Sequence, residues 1–131
     1  MKGQGTELGT REIPRNEWSA FFDSFSRLHQ GWLVTIEALG GDIGAQVEAR
    51  ELPLQGVSAD LKGENESVIS IMAGSGPQHH VTHNISAPTK VMLQQNEEGA
   101  DEALEIESAD KTITLLRFRL AVRPELVDGI S

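Results

Sequence analysis

Three of the four histidines stand together in the run Gln78-His79-His80-Val81-Thr82-His83. Imidazole is the commonest metal ligand and titrates near neutral pH, so His79, His80 and His83 form the candidate ligand-binding set. Val81, Thr82 and Ile85 lie between a Gly-rich stretch and Pro88, a pattern that reads as strand. On a strand, His79 and His80 point to opposite faces. His79 and His83 share a face but stand roughly 13 Å apart, whereas zinc–nitrogen bonds are about 2.0–2.1 Å. That pair alone cannot chelate one ion, although on a helix it could. What survives is a site built from His80 or His83 and a carboxylate on a neighbouring strand. The bland alternative is a set of rim histidines, one of them bonded to a backbone group. No spacing matches a recognised ligand pattern, so neither metal nor cofactor is expected.

Other constellations are weaker. Glu97-Glu98-Gly99-Ala100-Asp101-Glu102 is rich in the oxygen ligands calcium takes, but it lacks the EF-hand spacing and reads as a solvated hairpin tip. Gly74-Ser75-Gly76 could nest an anion, yet Pro77 and a strand follow it rather than a helix, so it reads as a hairpin loop. There is no Gly-x-Ser-x-Gly elbow, and the absence of Cys removes thiol catalysis, thiolate zinc sites and disulfides. Nothing among the 20 carboxylates selects a catalytic pair.

Charge bounds the partners. With 11 Lys and Arg against 20 Asp and Glu, the formal charge is −9. Such a chain repels phosphate backbones and anionic membranes, so neither nucleic acid nor membrane is expected. Arg117, Arg119 and Arg123 form the one basic group, too few to reverse the field. The opening residues carry no apolar run like a signal peptide, and no stretch approaches the roughly 20 apolar residues of a membrane helix. With the missing Cys, these features fit a cytoplasmic setting.

The elements that must position these residues show as changes of period. Trp18, Phe21, Phe22, Phe25 and Leu28 recur at helical spacing and predict an amphipathic helix with one buried face. Pro14, Asn16 and Glu17 suit its start; Arg27, His29 and Gly31 suit its end. After Gly31 the chain breaks into short alternating runs separated by Gly, Pro, Asn and Asp. Trp32–Ile36, Val47–Glu51, Val57–Leu61, Val68–Met72, the histidine run, Val91–Leu93, Leu104–Ile106 and Thr112–Phe118 give about eight strands. Short connections favour an antiparallel meander. The expected fold class is therefore α+β: one N-terminal amphipathic helix packed on an antiparallel meander of about eight strands, a length at which such sheets curl toward a barrel or split into layers. Phe21, Phe25, Trp32, Val34 and Ile36 are the expected core. The expected domain plan is a disordered extension over 1–11, one globular domain over 12–122 and a tail over 123–131.

Particular segments also resemble a known family. Glu12-Ile13-Pro14-Arg15-Asn16-Glu17-Trp18 running into Phe21-Phe22-Asp23-Ser24-Phe25-Ser26 is one. His80-Val81-Thr82-His83-Asn84-Ile85 before Pro88, and Glu97–Asp101 leading to Leu115-Leu116-Arg117-Phe118, are the others. They resemble a small bacterial family known only as a domain of unknown function. The resemblance implies a standalone bacterial domain and carries over no activity, cofactor or catalytic residue.

The sequence therefore points to a non-enzymatic domain that binds a protein partner or itself, with a homodimer through an unpaired strand edge as one form. The alternative is a small-molecule or metal-dependent activity in a barrel mouth, using His80 or His83.

Overall fold

The computed structural model describes residues 9–40, 44–63, 66–76 and 78–119. Residues between these segments, the part of the extension before Gly9, and the tail with Arg123 lie outside them. Eight strands and one helix follow in the order β1 (Thr10–Ile13), α1 (Trp18–His29), β2 (Leu33–Gly40), β3 (Gly44–Asp60), β4 (Val68–Gly76), β5 (His79–Ser86), β6 (Pro88–Gln95), β7 (Asp101–Ser108) and β8 (Ile113–Phe118). A short 3₁₀ turn, Arg15–Glu17, leads into α1. All pairings are antiparallel and the strand order is β1-β6-β7-β8-β2-β3-β4-β5. Two meanders, β2 to β5 and β6 to β8, are joined where β8 pairs with β2.

The α+β expectation holds and the barrel does not close. The sheet instead folds over itself at two bends. β3 joins what read as two strands into one of 17 residues. Its first half pairs with β2 and its second with β4. The bend falls at Glu51 (φ 52°) beside Pro53, where the register slips. The second bend is Ala87 (φ 50°): its N–H donates to Ser67 O at 3.0 Å, and its carbonyl accepts from Ala109 N at 2.9 Å. Ala87 thus passes the chain from the β4–β5 ladder into the β6–β7 ladder. Between the folded halves lie Val34, Ile36, Leu54, Ile69, Ile71, Ile85, Val91, Leu104, Ile106 and Leu116, all buried.

Each bend leaves a strand edge bare where the two ladders part. At β3 the helix covers it. Ser26 Oγ donates to Val57 O at 3.0 Å and accepts from Val57 N at 2.8 Å, so one hydroxyl serves both backbone groups that Val57, paired with Ile71 of β4, turns toward the helix. Ser26→Ala should destabilise the domain by about 1–3 kcal/mol, because it strands the Val57 N–H. Urea midpoints check this; an unchanged midpoint would show that water serves that edge.

The buried seam of α1 is Trp18, Phe22, Phe25 and His29. It is narrower than the predicted stripe. Phe21 is half-buried and Leu28 is 69% exposed; Trp32, beyond the helix and expected in the core, is 45% exposed. The helix meets the sheet through one row of side chains, because it closes a gap rather than lying flat on a wide face. Trp18 is 1% exposed; its indole N–H donates to Ile13 O at 2.9 Å and the Arg15 guanidinium lies over its ring.

Candidate functional site

The histidines occupy β5, at the outer edge of the sheet. Register with β4 sets their directions. His83 is paired with Ile71 and faces inward, while His80 is paired with Gly74 and faces out. The strand geometry thus parts the cluster across two faces. Gly74 to Gly76, expected as a loop, continues β4 to its end. Gly74 sits at φ 148°, and a Cβ there would lie 2.7 Å from His80 Cα, so only glycine admits β5 this closely.

Among the described residues neither His80 nor His83 meets a carboxylate. His80 Nε2 lies 3.3 Å from Thr82 Oγ1 on its own strand. His83 Nε2 lies 3.4 Å from Thr114 Oγ1 of β8, across the inside of the fold. Thr114 is 2% exposed, a buried hydroxyl in an apolar interior, and His83 is the side chain that answers it. His79 is exposed at the start of β5, opposite Gly76. Among the described residues no three His, Asp or Glu side chains gather as a metal centre.

His83 lines a cleft of about 230 Å³ between β5 and the β7–β8 turn, with Ile85, Ser108, Asp110, Thr112 and Thr114. This is the gap at the Ala87 bend, the counterpart of the one α1 fills at β3. The Thr112 N–H donates to Asp110 Oδ1 at 3.0 Å, and that bond, seconded by the Thr112 hydroxyl, holds the Asp110 carboxyl below the ordinary carboxylate range. Asp110 therefore serves its own turn. A second hollow, about 320 Å³, lies over Gln94, Glu105, Leu115 and Arg117, with none of the β5 histidines in its lining.

A buried polar cluster at the end of α1 lies outside the candidate ligand-binding set. His29, at the end of α1, is 3% exposed. Its Nδ1 lies 2.8 Å from Phe25 O; a carbonyl only accepts, so Nδ1–H donates. Its Nε2 lies 3.0 Å from Asp101 Oδ2, with one proton between them. Gln95 Nε2 donates to Asp101 Oδ1 at 2.9 Å. Phe25, Trp32 and Phe118 wall the imidazole, with ring centroids 4.4–4.6 Å away. A histidine acting as general base needs one nitrogen free for substrate. Here both are spent, so the His–Asp pair is a latch tying α1 to β7. The acidic hairpin read as a solvated tip thus contributes one carboxylate inward. The signal was present: His29 lies four residues after Phe25 on the buried seam.

The two described members of the basic group are also paired. Arg117 pairs with Glu37 at 3.4 Å and Arg119 with Glu51 at 3.7 Å. Among the described residues no helix is long and apolar enough to cross a membrane.

Fold and site together define a class: an α+β domain with an open, twice-bent antiparallel sheet, whose best-placed His–Asp pair is structural. The chain belongs to a family of unknown function, DUF5335, whose model matches residues 9–125. It is also similar to an uncharacterized protein of Aquifex aeolicus (strain VF5), 28% identical over 115 residues, which cover 88% of this chain and 96% of that protein. No solved structure matches it.

Proposed function

We propose that this domain is a non-enzymatic binding module that associates with a protein partner or with itself, acting in the cytoplasm. The observation that supports it most is the edge of β5, eight residues at the end of the sheet whose outer side no described strand pairs. Unpaired N–H and C=O groups in a row are a template for another strand. The comparable edge at β3 is covered from within by Ser26, and β1 offers only four residues. The cysteine-free composition suits the cytoplasmic setting.

A second reading draws on the cleft at the Ala87 bend. It takes His80 or His83, with His79 nearby, as ligand-binding residues for a small molecule or a metal-dependent activity. The inward His83 and the hydroxyls of Thr114 and Ser108 favour it. Native mass spectrometry of the tag-free chain separates the two. The binding-module reading expects the bare polypeptide mass or its multiples. A stoichiometric bound mass that is lost in His83→Ala would overturn that reading in favour of the second.

A further inference from the structure

From Ser67 to Thr89 the chain holds no Asp, Glu, Lys or Arg, although 24% of all its residues are charged. That stretch contains all of β4 and β5. The domain as a whole carries −9, so two copies repel wherever their acidic surfaces meet. The other described edges are charged: β1 carries Arg11 and Glu12, and the first half of β3 carries Glu48 and Arg50. β5 also lacks the guards that usually blunt an edge, having no lysine, proline or acid within His79–Ser86.

We infer that the occupant of the β5 edge is a second copy of this chain, its β5 pairing antiparallel with the first across a two-fold axis. The inference rests on the reading of the domain as a binding module and names its partner. Local neutrality is what a homotypic contact between two acidic domains requires, whereas a basic partner would gain nothing from this edge. Symmetry limits the register. If the two sheets run on as one, residues directly opposite must both face in or both face out. The axis then passes through one residue facing its own copy, not between residues. Near the middle of the strand that residue is Val81, Thr82 or His83. With His83 on the axis, Val81 lies opposite Ile85 of the second copy, apolar against apolar.

The chain has no cysteine, so a single introduced thiol reports its own surroundings. Opposed Cα atoms in an antiparallel pair are about 4.5–5.5 Å apart, within disulfide reach. Val81→Cys, Thr82→Cys, His83→Cys and, as a control on the β3 edge, Ala45→Cys would be oxidised and read as cross-linked dimer. Light scattering would follow the unmodified chain and Thr82→Lys, whose side chain points outward and leaves the core alone. The expected result is a dimer that Thr82→Lys converts to monomer at unchanged melting temperature, with cross-linking concentrated at one of the three β5 positions. A dimer that survives Thr82→Lys, or that cross-links at Ala45 and nowhere in β5, overturns the β5 pairing but leaves self-association standing. A chain that is monomeric at every concentration overturns the second copy as occupant; the binding-module reading is then judged by the mass measurement alone.

Discussion

Phe25→Ala should cost the fold about 3–5 kcal/mol, read as a lowered urea midpoint. Phe25 is 2% exposed and stands where the helix meets the sheet. Its ring lies 5.4 Å from Phe21, 4.4 Å from His29 and 5.6 Å from Phe118, so it touches the helix, the latch and β8 at once. Alanine is a better helix former than phenylalanine, so the loss comes from packing and the cavity left behind. Small domains are typically stable by only about 5–15 kcal/mol, so the variant should sit near the threshold of folding. Leu28→Ala is the internal control. That side chain is 69% exposed on the same helix, and its removal should stay within about 0.5 kcal/mol of the parent. If the two substitutions cost the same, the seam of Trp18, Phe22, Phe25 and His29 is not the face that docks.

The helix, the strand periods and the antiparallel class were legible because each rests on a local pattern. Val34 and Ile36 alternate with Thr35 and Glu37, and both lie in the core. Bends were less legible, since they depend on pairing between distant segments. Pro53 reads as the end of a strand or as an edge position, and β3 runs through it, because its two halves pair with different neighbours. Ala87 carries no turn signal of its own; its place is set by Ser67 on one side and Ala109 on the other. The histidine run was legible as two-faced, because alternation is a property of any strand. Its inner contact was not: Thr114 lies 31 residues from His83, and only the folding of one ladder over the other brings them together. Trp32 departs from the core expectation for a related reason. A tryptophan next to a strand is expected inside, but here it lies edge-on against His29 at the rim of the latch, with 45% of its surface in solvent.

Asp101→Ala should cost about 2–3 kcal/mol, more than removing its partner by His29→Leu. The asymmetry follows from what each change leaves behind. Without Asp101, the Nε2 of an imidazole 3% exposed loses the one side-chain partner it has among the described residues, inside a wall of aromatic rings. Without His29, the carboxylate is 17% exposed, keeps the Gln95 amide and can take water. Leucine also fills the aromatic wall with apolar surface, which returns part of the loss. The double variant His29→Leu with Asp101→Ala should therefore fall short of the sum of the singles by about 1–3 kcal/mol. Additive losses would mean that the two groups do not share a proton and that the pair contributes only by packing. The cycle also bears on function. A strong coupling confirms that His29 is committed to holding α1 against β7, and leaves His79 and His80 on β5 as the imidazoles that face solvent.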